Sequence, residues 1–335
     1  TSDTDTEILA HLVANAYDGD LVAAVRSVVD AAEGAYALVV MTEHEPRKIV
    51  AVRRVSPMVV GLGDGETFIA SDIPAVLGRT KRFLIVEDGE MVIIDAEGIR
   101  STFPFEEQDT HLCIFEFVYF ARPDSTLLGR TIQTTRHEMG RLLAAQAPID
   151  ADITVPVPES GIPAAQGFAE VSGVPYTDGL VKNRYVGRTF IEPAQSMRDR
   201  GVRLKLNAMP GELSGQRVVL VDDSIVRGST TKQLVAMVRE AGATEVHLRI
   251  SSPPYRWPCF YGMDTGDRNT LLAAGRSVDE IAAFLNVDSL AYLELDRLLE
   301  ATGLAPETLC TACLSGQYAT DIPTTTNKIA LEISR

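Results

Sequence analysis

Two adjacent acids, a glycine and four hydroxyl residues follow one apolar run of this chain. The stretch reads VVLVDDSIVRGSTT, from Val218 to Thr231. The β-branched residues of the run predict a strand, and TTKQLVAMVREAGA at its end predicts an amphipathic helix. In an open parallel sheet, ligands bind beyond the carboxyl ends of the strands. The loop between this strand and this helix is therefore a candidate binding site.

The composition of the loop suits a phosphate group. A helix N-terminus offers backbone N–H groups that have no partner inside the helix. Gly228 lets the backbone approach an anion closely, and hydroxyl donors come from Ser224, Ser229, Thr230 and Thr231. The loop has neither the G-x-x-x-x-G-K-[ST] pattern nor the G-x-G-x-x-G pattern, so it predicts neither of those two nucleotide sites.

The two acids, Asp222 and Asp223, would repel a phosphate unless they have another task. A carboxylate accepts hydrogen bonds from the hydroxyl groups of a ribose, and it can hold hydrated Mg²⁺. It also stabilises positive charge that develops on a sugar ring. Loop and acids together predict a site for a phosphorylated ribose. The alternative is a solvated turn at the end of a strand.

The four cysteines are Cys113, Cys259, Cys310 and Cys313. Four are too few for a disulfide framework in a chain of 335 residues. The last two stand in CTAC, a C-x-x-C spacing that suits a metal site. Ordinary buried or surface thiols fit the spacing equally well.

Two patterns of secondary structure divide the chain. From about residue 130, helical and strand-like segments alternate, which predicts an α/β fold with helices on both faces of a parallel sheet. Before it, two helical stretches and several short apolar runs predict helices packed on an antiparallel sheet. Asp88-Gly89 lies between two apolar arms and predicts a hairpin. We place the boundary within FPFEEQDTH, residues 103–111, giving domains 1–108 and 109–335.

Composition narrows the class of protein. The formal net charge is −15 and the pI is near 4.8, which argues against a nucleic-acid-binding protein. No apolar run approaches the roughly 18 residues that a membrane helix needs, and no signal segment is present. These features predict a cytoplasmic protein that binds neither nucleic acid nor membrane.

Several separate motifs resemble one family. VVLVDDSIVRGSTT resembles the ribose-5-phosphate-binding motif of the phosphoribosyltransferases. CIFEFVYFARPDS, LVKNRYVGRTFI, ISSPPYRWPCFYGMDT and CTACLSGQY resemble glutamine phosphoribosylpyrophosphate amidotransferases, from about residue 109 to the end. The resemblance implies a phosphoribosyltransferase-type sheet and transfer of ammonia, drawn from glutamine, to C1 of phosphoribosyl pyrophosphate. It also implies Mg²⁺, a homo-oligomer and purine nucleotides as possible inhibitors.

The resemblance assigns roles to particular residues. Asp222 and Asp223 would hold the ribose hydroxyls and Mg²⁺, and the phosphate would lie against Ser224, Arg227, Gly228, Ser229, Thr230 and Thr231. The pyrophosphate loop would comprise Glu159, Ser160 and Gly161. The mobile flap would comprise Lys182, Asn183, Arg184, Tyr185 and Arg188. Its cations suit a leaving group rich in negative charge, so the catalytic set would be Asp222, Asp223, Lys182 and Arg184.

The resemblance also bears on the cysteines. Some members of the family carry a [4Fe–4S] cluster on four thiolates, and the four cysteines of this chain stand at the matching places. The cluster would be structural, because the reaction transfers no electrons. A structural Zn²⁺ is the alternative.

The N-terminal part resembles a second domain type. TDTEILAHL, EGAYALVVM and SPMVVGLGDGETFIASD resemble the later half of the class II glutamine amidotransferase domain, in wording closer to glucosamine-6-phosphate synthase. We therefore expect a partial α+β domain of the N-terminal-nucleophile glutaminase type. That domain uses an N-terminal cysteine, and no cysteine precedes Cys113, so we expect transfer from ammonia alone. Asp5 matches the family's contact to the glutamine α-amino group; a helix N-cap is the alternative.

Two other functions fit parts of the sequence. One is a non-catalytic regulator that binds phosphoribosyl pyrophosphate or a nucleotide and carries a structural metal site; binding without turnover would favour it. The other is a phosphoribosyltransferase whose acceptor is a base. The flap and cysteine motifs argue against the second.

Overall fold

A computed structural model of the chain describes residues 5–32, 34–105, 111–183, 206–263, 265 and 267–322. The chain divides into two compact units, Thr1–Leu112 and Cys113–Arg335. The predicted boundary between residues 108 and 109 falls within 106–110, outside the described residues.

The N-terminal unit begins with helices α1 (Asp5–Ala16) and α2 (Leu21–Ala31). Asp20 caps α2, because its carboxylate accepts from the N–H groups of Val22 at 2.9 Å and Ala23 at 3.3 Å. The apolar face of α2 packs with residues of two strands in one core, whose fully buried members include Val25, Val50 and Val52. The amphipathic pattern of α2 is therefore explained by the core against which its apolar face packs.

Seven strands complete the N-terminal unit: β1 (Tyr36–Val40), β2 (Ile49–Arg54), β3 (Val59–Leu62), β4 (Thr67–Ala70), β5 (Phe83–Ile85), β6 (Met91–Asp95) and β7 (Gly98–Thr102). They form two antiparallel sheets, in the orders β1-β2-β6-β7 and β4-β3-β5. The prediction of helices packed on antiparallel strands is confirmed.

The predicted hairpin at Asp88-Gly89 is wrong. β5, before the turn, pairs with β3, whereas β6, after it, pairs with β2 and β7. The turn itself is present, with Gly89 at φ +75°. Its hydrogen bonds run to a third segment: Gly89 N–H donates to Arg53 O at 3.0 Å, and Val55 N–H donates to Asp88 Oδ1 at 2.6 Å. Turn residues predicted the bend, but the strands took partners from elsewhere in the chain.

The second unit is built on a parallel sheet of four strands: β11 (Ile153–Pro156), β14 (Arg217–Asp222), β15 (Glu245–Ile250) and β16 (Ser289–Tyr292). They lie in the order β11-β14-β15-β16, and each neighbouring pair is parallel. All four carboxyl ends therefore lie at one edge. Short strands of this unit are β8 (Leu112–Cys113), β9 (Thr126–Leu127), β10 (Arg130–Thr131), β12 (Leu180–Lys182), β13 (Leu206–Ala208) and β17 (Leu309–Cys310).

The helices of this unit are α3 (Ile132–Gln146), α4 (Gly161–Ser172), α5 (Pro210–Leu213), α6 (Ser229–Glu240), α7 (Val278–Leu285), α8 (Leu295–Thr302) and α9 (Ala312–Ser315). Their alternation with parallel strands confirms the predicted α/β fold. Across the described ranges, no helix has both the length and the apolar character to cross a membrane.

Helices α3 and α4 approach each other closely through two glycines. A methyl group on Gly140 of α3 would overlap the carbonyl oxygen of Ala164, and one on Gly167 of α4 would overlap that of His137. Only glycine allows this separation. The close packing fixes α4, whose first residue is Gly161, and so positions the segment that leads into α4.

Candidate active site

The acid pair lies at the carboxyl end of β14. Asp222 is the last residue of that strand, and Asp223 begins the loop that leads to α6. The two residues are 8% and 6% exposed, an unusual burial for carboxylates. Hydrogen bonds from their surroundings must therefore compensate for the lost water.

Asp223 receives hydrogen bonds from two different loops. Ser160, at the start of α4, donates its hydroxyl to one carboxylate oxygen, and Ser224 donates to the other. The Ser252 hydroxyl donates to the carbonyl oxygen of Asp223 at 2.7 Å, and the Asp223 N–H donates to Asp222 Oδ1 at 2.9 Å. The structure thus brings the expected pyrophosphate loop into contact with the acid pair.

Burial dominates the protonation of both acids. It raises the pKa of Asp222 well above the ordinary range, and the neighbouring charge of Asp223 raises it further. Burial also raises the pKa of Asp223, against hydrogen bonds from Ser160 and Ser224 and the charge of Arg136. A bound cation or several hydroxyl donors would favour the ionised pair, so the site is electrostatically prepared for such a ligand.

Two glycines shape the site. A methyl group on Gly161 would lie 2.7 Å from the carbonyl oxygen of Val221, so α4 could not begin so close to β14 with another residue. Gly228 has φ +77°, and a methyl group there would lie 2.5 Å from Leu272 Cδ2. The left-handed backbone requires glycine at this position, and the Leu272 side chain would have to shift to accommodate a methyl group.

The loop ends at the N-terminus of α6. Gly228 is the residue before the helix, and Lys232 N–H donates to its carbonyl oxygen at 2.9 Å. The N–H groups of residues 229–231 precede this first helical bond and have no partner within the helix. Two contacts hold the loop in place: the side chain of Ile225 is buried, at 2% exposure, and Leu272 N–H donates to Val226 O at 2.8 Å. A rigid loop with free N–H groups can bind an anion.

The remaining predicted site residues have different outcomes. Lys182, at the end of β12, forms an exposed ion pair with Glu159, 3.2 Å between Nζ and Oε2. Asn183 follows it in the described part of the chain. Arg184, Tyr185 and Arg188 lie outside the described residues.

Asp5 is the first residue of α1, and its side chain also lies outside what the structure describes.

Sequence reasoning missed Arg136 and Ser252. Arg136 is only 2% exposed; its Nε donates to Phe117 O at 2.7 Å and its Nη2 to Ala121 O at 2.9 Å. Its positive charge opposes the rise in the pKa of Asp223. The signal was present in α3, where Ile132, Arg136, Met139 and Leu143 follow a helical spacing of buried positions. Ser252 follows β15 and carried no comparable signal.

The four cysteines lie in one region of the second unit. Burial, with a smaller contribution from the charges of Cys310 and Cys259, raises the pKa of Cys113 to about 12. Burial also raises the pKa of Cys313, to which the other three cysteines add. Backbone bonds hold the region together: Ile114 N–H donates to Cys310 O at 3.1 Å, and Trp257 N–H to Cys313 O at 3.0 Å. The sequence segments that carry these thiols therefore converge.

Among the described residues, the cysteine region has the donor atoms of a metal site but not the spacing of a single-ion site. Four thiols are the donor set of a Cys₄ cluster or Cys₄ zinc site. Within the described residues, however, no three His, Cys, Asp or Glu side chains are spaced to hold one metal ion. The region supplies the donor types without the spacing of a single-ion site.

Comparison with known proteins identifies the family. Residues 135–251 match the family described as phosphoribosyl transferase domain. The chain is 46% identical over 330 residues to an amidophosphoribosyltransferase of Synechocystis, covering 96% of this chain and 66% of that protein. It is 42% identical over 325 residues to the amidophosphoribosyltransferase of Bacillus subtilis, covering 95% of this chain and 68% of that protein. The chain belongs to the amidophosphoribosyltransferase family.

Solved structures agree with this membership in the amidophosphoribosyltransferases. One is the glutamine phosphoribosylpyrophosphate amidotransferase of Bacillus subtilis complexed with ADP and GMP, with a TM-score of 0.85 and 41% identity, covering 97% of this chain and 73% of that chain. Another, described as the allosteric regulatory enzyme of purine biosynthesis, has a TM-score of 0.86 and 41% identity, covering 97% and 71%. The predicted resemblance is confirmed, and at this coverage the match includes the N-terminal unit. The chain spans about two thirds of the length of the curated relatives.

Proposed function

We propose that this chain catalyses the transfer of ammonia to C1 of phosphoribosyl pyrophosphate, which gives 5-phosphoribosylamine and pyrophosphate, the first step of purine biosynthesis. The observation that carries the proposal is the position of Asp223. Its carboxylate accepts from Ser160 of the pyrophosphate loop and from Ser224 of the phosphate loop. One side chain therefore joins the segments that would bind the two ends of the substrate.

The reaction breaks the bond between C1 and a pyrophosphate oxygen and forms a bond from C1 to nitrogen, which then loses a proton. Positive charge develops on the ribose ring as the pyrophosphate leaves. Asp222 and Asp223 would accept hydrogen bonds from the ribose hydroxyls and stabilise that charge at short range. Their burial removes competing water and strengthens the effect.

The 5-phosphate would bind to the loop of Ser224, Arg227, Gly228, Ser229, Thr230 and Thr231. The N–H groups at the start of α6 face the phosphate oxygens in this arrangement, and the helix dipole favours the negative charge. Gly228 gives the backbone the conformation that the loop requires. Because these donors belong to the backbone, they position the substrate with little loss of side-chain freedom.

The pyrophosphate would bind to Glu159, Ser160 and Gly161 at the start of α4. Lys182 lies beside Glu159 and would supply a cation to the leaving group. Asn183, Arg184, Tyr185 and Arg188 would extend that flap. Mg²⁺ usually binds through one or two carboxylates and substrate phosphates, so Asp222 and Asp223 would hold it, and it would neutralise charge on the leaving group.

The nitrogen source of a polypeptide of residues 1–335 would be ammonium. No cysteine precedes Cys113 in it, and the glutaminase domain needs an N-terminal cysteine thiol for attack on glutamine. Asp5 would contact the glutamine α-amino group, the role that the family resemblance gives it.

The four cysteines would hold a [4Fe–4S] cluster with a structural role. Support comes from the convergence of Cys113, Cys259, Cys310 and Cys313, since neighbouring thiols contribute to the raised pKa values of Cys113 and Cys313. Iron and sulfide content of anaerobically purified protein tests the cluster. Zinc in place of iron would support the single-ion alternative, and Cys259→Ser should lower the iron content.

We also propose a cytoplasmic homo-oligomer that binds purine nucleotides. The nucleotide part rests on the Bacillus subtilis structure, which is a complex with ADP and GMP. Sedimentation and nucleotide titration would test the two parts separately.

Pyrophosphate release from phosphoribosyl pyrophosphate and Mg²⁺ tests the proposed activity, with ammonium in one reaction and glutamine in another. We expect release with ammonium alone. Release with glutamine would contradict the proposed nitrogen source. Substrate binding without release in either reaction would favour the alternative, a non-catalytic regulator that binds phosphoribosyl pyrophosphate or a nucleotide.

A further inference from the structure

A cavity of about 620 Å³ lies beyond the carboxyl ends of β15 and β16. Pro253 and Pro254, shortly after β15, line one part of it, and Tyr292, the last residue of β16, lines another. Its volume lies within the range of small-molecule pockets. In a parallel sheet, this edge is where ligands bind.

Two arginines line the cavity without a carboxylate partner. Arg256 and Arg268 are both exposed, and within the described ranges neither side chain forms an ion pair or hydrogen bond. The guanidinium of Arg268 lies over the ring of Trp257, 3.9 Å from its centroid. Stacking occupies the face of a guanidinium and leaves the N–H groups in its plane free to donate. Both arginines can therefore bind an oxyanion.

The hydroxyl of Tyr292 is a second and independent sign of a ligand. Tyr292 lines the cavity and is only 7% exposed. Its hydroxyl oxygen is buried and has no hydrogen-bond partner in the described part of the chain. Such unsatisfied groups are rare in folded proteins, because burial removes the water that would bond to them. A bound acceptor would satisfy this donor.

A third arginine lies next to the cavity without lining it. Arg249 is 4% exposed, and its guanidinium donates to Ala147 O at 3.1 Å and to Ser289 Oγ at 3.1 Å. It stands beside Ala291 in the strand register, and Ala291 lines the cavity. The acidic side chain on the lining is Glu294. In a chain with a net charge of −15, two arginines against one glutamate on the lining make a locally positive site.

We propose that this cavity binds a small multivalent oxyanion of the phosphate or phosphate-monoester class. Arg256 and Arg268 would bind its oxygens through charge-assisted hydrogen bonds, and Tyr292 would donate its hydroxyl. The proposal is independent of the transferase reaction and of the loop of residues 222–231.

Trp257 provides the measurement, because it is the single tryptophan of the chain. Its emission is followed while inorganic phosphate replaces chloride at constant ionic strength, with the full chain and at constant metal content. We expect a saturable change. An equal change in emission when chloride alone is varied would overturn the proposal. A response to phosphate that does not saturate would also overturn it.

Variants assign the response to the cavity. Arg256→Gln should raise the phosphate concentration at half-saturation at least tenfold, and Arg268→Gln provides a second test should the first variant fold poorly. Tyr292→Phe should weaken binding about threefold, by loss of one hydrogen bond. Arg297→Gln is the matched control, since it removes a nearby exposed charge that pairs with Glu300; it should stay within twofold of the unmodified chain.

The variant Thr230→Ala distinguishes phosphate binding in the cavity from phosphate binding at the candidate active site. The Trp257 response should persist in this variant. Loss of the response in Thr230→Ala, with its retention in Arg256→Gln, would place phosphate in the loop and overturn the proposal.

Discussion

Two regions at the same edge of the parallel sheet are suited to anions by different means. After β14, the loop of residues 222–231 offers N–H groups at a helix N-terminus and carries two buried carboxylates. After β15 and β16, the cavity offers guanidinium groups stacked or exposed on its wall. The first region depends on backbone geometry, and the second depends on side-chain charge.

The difference predicts how each region tolerates change. Backbone donors are kept in every substitution except one to proline, but they are misplaced when a glycine is replaced, because φ changes. Side-chain cations tolerate small movements of the backbone, yet one substitution removes each of them, and salt screens them. Variants that change one region alone should therefore leave the other region's response to anions unchanged.

The largest effect is expected for Asp223→Asn. The variant removes the charge that stabilises the developing positive ribose, while the amide oxygen can still accept one hydrogen bond. Pyrophosphate release with ammonium should fall about 100-fold. Asp279→Asn, an exposed acid in the first turn of α7, is the control and should keep its rate. A rate for Asp223→Asn within threefold of the unmodified chain would contradict the proposed role.

Gly228→Ala should misplace the backbone donors. The residue has φ +77°, and the added methyl group meets Leu272 Cδ2 at 2.5 Å. We expect the KM for phosphoribosyl pyrophosphate to rise about tenfold and the free energy of unfolding to fall by about 1–2 kcal/mol.

Gly211→Ala is the control for Gly228→Ala, since a methyl group there meets nothing within 4 Å. In Gly228→Ala, the phosphate titration of Trp257 should be unchanged. A change in that titration would show that the two regions are not independent.

Asp222→Asn should stabilise the fold, and more so at high pH. Burial raises the pKa of Asp222 in the folded state, so its contribution to stability is complete below the unfolded pKa and is lost as pH rises toward the folded pKa. Each unit of displacement corresponds to about 1.4 kcal/mol. The Asn side chain of the variant does not ionise, so the variant avoids the loss of stability that Asp222 causes as pH rises.

Chemical denaturation of Asp222→Asn and the unmodified chain at pH 5 and pH 8 measures the effect. The variant should gain more stability at pH 8 than at pH 5. An equal difference at the two pH values would show that Asp222 is not titrating as its burial implies.

The smallest effect is expected for Lys182→Gln. The ammonium group is exposed and pairs with Glu159 at 3.2 Å, and water screens such charges. The KM for phosphoribosyl pyrophosphate should rise about threefold. Lys81→Gln in the N-terminal unit serves as the control. A rise of a hundredfold would show that this side-chain cation matters as much as the backbone of the loop.

Much of the candidate site could be predicted because it is local. Strand β14, the loop and α6 are continuous in sequence, and their apolar spacing and turn residues act over a few positions. Arg136 could have been predicted from its spacing with Ile132 and Met139, but a charged residue at a buried position conflicts with the usual burial pattern. The hairpin at Asp88-Gly89 failed because pairing depends on distant strands.

The secondary-structure elements around the loop after Val218 and the chemical character of that loop follow from the local sequence, since propensity and periodicity are properties of neighbouring residues. The hydrogen bond from the Ser160 hydroxyl to Asp223, 63 residues away in sequence, and the effect of the Arg136 charge on Asp223 arise only in the tertiary structure. The tertiary structure also decided that Arg256, Arg268 and Tyr292 line one cavity. The physical reason is that parallel strands bring the ends of distant segments to one edge, and the order of those strands is decided by packing in the assembled core.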